Sequence, residues 1–154
     1  DEGPLDAVEL MNDPYVLLVG AEHDLATAGE VPPLADLDGL EVIGFRTCIC
    51  GERTDAFLRR QGVEMRTVFR ADDNGTIQGL VGAGMAAALV PQLAADSGDP
   101  RVAVLSMGGQ VPDRRIGLAW HRDRTLSAAA RAFIDVARGL CAELAPLPGA
   151  AGAP

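Results

Sequence analysis

Three groups of residues have types and spacings suited to chemistry. Cys48-x-Cys50 follows the apolar run "EVIGF" and places two thiols two positions apart. At a strand end such a pair shares one face. Neighbouring same-face cysteines cannot join without strain, which leaves soft-metal binding or oxidant sensing as their chemistry. Core packing is the stronger reading, since no third ligand or basic cluster lies near them in sequence. His23 and His121, the only histidines, both fall at expected strand ends. A metal pair or an acid–base couple is open to them, beside the plainer reading as turn residues.

The third group combines Arg46 and Thr47 after "EVIGF" with "DDNGT" after "MRTVFR". Open α/β sheets bind ligands at the carboxyl ends of their strands, where helix amides begin. Arg46 offers a planar fork for a carboxylate. Asp73, Asn74, Gly75 and Thr76 open a helix and offer side-chain oxygens and amides, although helix capping alone accounts for such residues. Gly75, Gly79, Gly82 and Gly84 invite a phosphate-loop reading. A phosphate loop needs glycines between a strand and the helix that follows it, whereas Gly82 and Gly84 follow the helix. They are punctuation that returns the chain to the sheet. Ser97, Ser106 and Ser127 lack a Gly-x-Ser-x-Gly setting, and no convergent acid–base set appears. No enzyme activity, cofactor or metal site is expected.

Alternating apolar patterns and turn residues set out the elements that must position these groups. "AVELM" and "YVLLVG" read as strands separated by the turn residues "NDP". The polar segment 21–33 is a connector, and "LADLDGL" is a short helical turn closed by Gly39. "EVIGF" is a strand, and Thr54 suits the N-cap of a helix through "DAFLRRQ" that Gly62 ends. "EMRTVFR" alternates Glu64, Arg66 and Val68 outward against Met65, Thr67 and Phe69. Asp72 to Gly75 opens a helix carrying Ile77, Leu80 and Val81. "AAALV", "RVAVLSM" and "RIGLAW" are further strands. Ser127 caps a last helix with Ala130, Phe133, Ile134, Ala137 and Cys141 near one face. The order predicts an α/β domain with a largely parallel sheet.

Composition narrows the function classes. The chain has 154 residues, 48% of them apolar, so it can bury a core. Its 22 acidic residues outweigh 13 basic ones, all arginine, for a net charge of -9. That charge repels nucleic acid and anionic lipid. No apolar run reaches the roughly 20 residues of a membrane-spanning helix. The opening "DEGPLDAVEL" lacks an apolar signal core. Three cysteines without a framework point to a reducing cytoplasm.

Three segments in order carry a family resemblance: "GAEHDLATAGEVPPLADLDGLEVIGF", "LVGAGMAAALVPQL" and "RRIGLAWHRDRTLSAAARAFIDVAR". Together they resemble the effector-binding domain of LysR-type transcriptional regulators across residues 5–144. The resemblance implies a periplasmic-binding-protein type 2-like fold, two lobes with mixed, largely parallel sheets. Residues 24–107 would form the second lobe, residues 1–23 and 108–145 the remainder of an incomplete first lobe, and residues 146–154 a flexible tail. The crossovers would fall near residues 20–23 and 108–114. The winged helix-turn-helix and the opening part of the first lobe have no counterpart in this sequence. The implied function is sensing a small-molecule effector, a carboxylate by the Arg46 chemistry, with Arg46, Thr47 and residues 73–76 as contacts. DNA would be bound only through a separate domain. A solute-binding protein of transport is the alternative on the same fold. A shortened first lobe leaves apolar surface open, so a homodimer is expected.

Overall fold

The structure, a computed structural model, describes residues 3–144 apart from the side chains of Ile49 and Cys50. The expected tail at residues 146–154 lies outside the described residues. Strand β1 (Leu5–Asp13) is followed at once by β2 (Tyr15–Gly20), with Pro14 between them. Helix α1 (Asp24–Ala28), absent from the sequence reading of that connector, precedes a 3-10 turn at Leu34–Leu37 and strand β3 (Glu41–Phe45). Then come α2 (Ile49–Arg60), β4 (Arg66–Ala71), α3 (Asn74–Gly82), β5 (Ala88–Pro91) and a 3-10 turn at Gln92–Ala94. Strands β6 (Val102–Ser106) and β7 (Arg114–His121) and helix α4 (Ala128–Glu143) complete the described chain.

Strand β2 is the spine of the larger body. It pairs antiparallel with β5 on one side and β6 on the other. Strands β3 and β4 run parallel, and a parallel bridge from Val42 to Ala87 joins them to β5. The resulting array reads β4–β3–β5–β2–β6. Both faces of β2 are buried, which is why "YVLLV" is continuously apolar rather than alternating. Tyr15, Leu17 and Val19 meet Leu37 and Leu58 on one side. Val16 and Leu18 meet Ile77 and Val81 of α3 on the other. The sheets are mixed, as expected, but the parallel share is smaller than the order of elements implied. Only β3–β4 and the Val42 bridge are parallel among the described residues. The crossovers that feed β2 and β6 return along the sheet in the opposite sense, a direction that hydrophobic period alone does not encode.

The second body is a two-stranded antiparallel ribbon, β1 with β7, on which α4 rests. The register slips between Glu9 and Met11, so Leu10 is an extra residue opposite Gly117 and Ile116. Strand β2, grouped with the first lobe by the sequence reading, is hydrogen-bonded inside the larger sheet instead. The chain passes between the bodies at Pro14 and at residues 107–113. Gln110 holds the second passage: its Oε1 accepts from the Leu34 amide at 2.9 Å and its Nε2 donates to the Pro32 carbonyl at 3.0 Å.

Four local expectations are corrected. Helix α2 begins at Ile49 after Cys48, so Thr54 is a buried mid-helix residue rather than an N-cap. Cys48 is therefore the cap position of a helix, not part of a strand, which removes the strand premise of the paired-thiol reading; the Cys50 side chain lies outside the described residues. On β4, a register shift between Val42 and Ile43 leaves Val68 unpaired and half-buried, while Phe69 is exposed. On α4, Ala130, Ile134, Ala137 and Cys141 are half-buried as expected, but Phe133 is 62% exposed.

Candidate functional site

The carboxyl ends of β3 and β5, the amino ends of α2 and α3, and the start of β7 converge at the seam between the two bodies. A cavity of about 220 Å³ lies there, lined by Tyr15, Phe45, Cys48, Gly51, Asn74, Leu89, Pro91, Leu93, Ala94 and Arg114. A neighbouring hollow of about 310 Å³ shares Tyr15, Phe45, Cys48, Gly51 and Leu89 with it and extends to Arg46, Thr67 and Arg70. Each contributor arrives for a local reason. Tyr15 begins the buried strand β2, and Pro91 ends β5, since it has no amide to continue the ladder. The α2 cap residue Cys48 makes no side-chain hydrogen bond to the helix, so its first amides are not capped from within.

The six residues singled out in the sequence fall into different roles. Asn74 lines the smaller cavity and Arg46 the neighbouring hollow. Arg46 Nε donates to Asp72 Oδ1 at 3.0 Å, on the exposed rim. Thr47 is exposed between Arg46 and Cys48. Asp73 caps α3: its Oδ1 accepts from the Thr76 amide at 2.8 Å and its Oδ2 accepts from the Thr76 hydroxyl at 2.7 Å. The Thr76 hydroxyl bond, then the Thr76 amide, hold the Asp73 carboxyl below its ordinary value against the opposing effect of burial, with a lesser share from the Gly75 amide. Asp73 and Thr76 thus spend their polar groups on each other, and Gly75 permits the tight cap, where a Cβ would stand 3.3 Å from Asp73 Oδ1.

Sequence reasoning missed Tyr15, Leu89, Pro91, Leu93 and Arg114 as wall residues, and Cys48 as one. The strand-end rule that singled out Arg46 and Asn74 applies equally to "LVPQL" after β5, and would have found Pro91 and Leu93. Arg114 has no such signal, because its place depends on how the ribbon docks.

Other constellations stay local. His23 caps α1, its Nδ1 accepting from the Leu25 amide at 3.2 Å, and His121 Nδ1 accepts from the Asp123 amide at 3.3 Å. No cluster of potential metal ligands occurs among the described residues. A larger hollow, about 870 Å³, lies at the opposite end of the sheet beside Gly82, Gly84, Glu41 and Arg101. It faces the carbonyl end of α3, which disfavours an anion, and Arg101 is already paired with Asp99 at 2.7 Å. Gly84, at φ 75°, supplies the left-handed turn after the helix. The seam cavity, smaller but at the amide ends, is the better candidate.

Comparisons with known proteins agree with this architecture. A family model described as the LysR substrate binding domain matches residues 1–142. An uncharacterized HTH-type transcriptional regulator, YfeR of Shigella flexneri, is 29% identical over 138 residues, covering 88% of this chain and 44% of the relative. The chain therefore spans less than half the length of that curated relative. The C-terminal domain of a probable LysR family regulator from Rhodococcus sp. RHA1 superposes with a TM-score of 0.74 at 27% identity, over 88% of this chain and 68% of that one. The Synechocystis PCC6803 CcmR regulatory domain, solved in complex with 2-PG, superposes at 0.77 with 17% identity, over 91% of this chain and 68% of that one, a likeness of fold.

Proposed function

We infer the function from one premise: the chain belongs to the LysR substrate-binding domain family. It is the ligand-sensing regulatory part of a transcription factor, and its effector sits in the seam cavity between the ribbon and the large sheet. The observation that carries this reading is the convergence there of two helix amino ends, the ends of β3 and β5, and the start of β7 around an apolar hollow. Occupancy would bias how the two bodies sit, and through them the geometry of a DNA-binding domain elsewhere in the protein. The relative's naming as an HTH-type regulator favours this over a transport protein of the same fold. The chain is read as non-catalytic and the whole protein as cytoplasmic; no helix among the described residues is long and apolar enough to cross a membrane.

Arg46 and Asn74 are the contacts retained from the sequence. Thr47 serves at the rim, and Asp73, Gly75 and Thr76 hold the α3 amides in place. The two bodies divide at Pro14 and within residues 107–113, so that residues 15–106 form the second lobe. A homodimer remains part of the proposal, supported by the apolar stripe that α4 leaves exposed.

A thermal-shift screen of small metabolites tests the reading. A ligand at 100 times its Kd stabilises by about 2.7 kcal/mol, a rise of roughly 5–10 °C for a chain of this size. Asn74→Ala should reduce that rise without lowering the unliganded midpoint much. Failure of every metabolite to shift the chain would reject effector binding.

A further inference from the structure

The seam carries a charged pair not used above. Asp13, the last residue of β1, has a side chain 0% exposed, and Arg114, the first of β7, is 32% exposed. Asp13 Oδ1 accepts from the Leu93 amide at 3.0 Å, and Oδ2 accepts from Arg114 Nε at 3.0 Å and from Nη2. Arg114 Nη1 has no hydrogen-bond partner among the described residues. The same side chain lines the cavity of about 220 Å³, where it is the only charged wall residue among the described residues. Tyr15, Phe45, Leu89, Pro91 and Leu93 make the other walls mainly apolar, with the Asn74 amide beside them.

A hollow with apolar walls and one cation matches a molecule with an apolar body and one anionic end. The planar guanidinium suits a carboxylate. We propose that Arg114 recognises an apolar monocarboxylic acid in this cavity, and that Asp13 behind it passes occupancy to the crossover strands. The proposal rests on the effector-binding reading and deepens it. Asp13 and the ligand compete for one guanidinium. The Asp13 carboxylate ties together the end of β1, the start of β7 and the turn after β5. A ligand that draws Arg114 toward the cavity loosens that tie, and by linkage anything that strengthens the tie weakens the ligand.

The test uses the whole chain with hexanoate and cyclohexanecarboxylate, each against its own carboxamide, read by calorimetric titration. Four proteins are compared: the native chain, Arg114→Lys, Asp13→Asn, and the double variant Asp13→Asn with Arg114→Gln. The double variant removes both charges together, so no lone carboxylate is left buried. The native chain should prefer at least one acid over its amide by about 10- to 100-fold, the range of a charged hydrogen bond. Arg114→Lys should keep the preference at lower affinity, Asp13→Asn should bind the acid more tightly, and the double variant should lose the preference. Equal binding of acid and amide, an acid preference surviving in the double variant, or no binding of either acid would overturn the proposal. Should the double variant fail to fold, tighter binding in Asp13→Asn supports the proposal, and unchanged or weaker binding overturns it. An uncharged metabolite that stabilises the chain while both acids fail would leave the effector reading standing and remove this inference alone.

Discussion

Asp73 shows how one residue can look like a ligand contact and serve the fold. Both of its carboxylate oxygens are taken by Thr76. Those bonds favour the charged form, so the folded carboxyl lies below its ordinary 3.8. The stabilisation is complete above the unfolded value and fades as pH falls through the folded one. Asp99 behaves the same way, pushed down to about 2 by the Arg101 side chain and amide. The unfolding midpoint should therefore drop as acid is added below the ordinary 3.8 toward about 2. Asp73→Asn keeps one oxygen to accept from the Thr76 amide, loses the acceptor for the Thr76 hydroxyl and does not titrate, so its midpoint should start lower and fall less steeply over that range. Thermal melts across an acid series check this; parallel curves for both proteins would contradict it.

Among the elements, the ribbon and α4 make the sharpest demands. A Cβ on Gly117 would lie 2.6 Å from the Val8 carbonyl oxygen, closer than any real contact. The extra residue in β1 presses that carbonyl against β7. Gly117→Ala should cost about 1–3 kcal/mol, the range of overpacking in a filled site, with the loss read by chemical denaturation. Helix α4 presents Phe133, Val136 and Leu140 at 62%, 60% and 60% exposure, and Leu144 just past its end is 51% exposed. Replacing Phe133 and Leu140 together by glutamate removes little buried area, so folding stability should change by only about 0.5 kcal/mol per site. If a second copy covers this stripe, sedimentation will show the native chain as a dimer and the double variant as a monomer. A native monomer would end that proposal.

At the scale of the whole molecule, two bodies meet along crossovers held by Gln110 and by the Asp13–Arg114 pair. An effector at the proposed seam site would touch both bodies at once, which is the geometry a population shift requires. The net charge of -9 opposes phosphate backbones throughout. The chain should leave duplex DNA unretarded in a gel at low salt, where electrostatic binding is strongest. Retardation that disappears with added salt would show a basic surface that the composition hides.

The sequence by itself determined most elements and the family. Period, caps and turns are local properties, so "YVLLVG", "EVIGF", the Asp73 and Ser127 caps and the Gly84 stop were legible from a few neighbouring residues. The three ordered segments carried the family for the same reason. Tertiary structure decided what depends on distant partners. The bulges opposite Gly117 and Ile43 changed which side chains face inward, because register is set by the neighbouring strand. The antiparallel return of β2 and β6 came from chain direction, not from hydrophobic pattern. Arg114 became a wall of the seam cavity only when residues 101 positions apart, Asp13 and Arg114, were brought together, and no local spacing records a contact of that range.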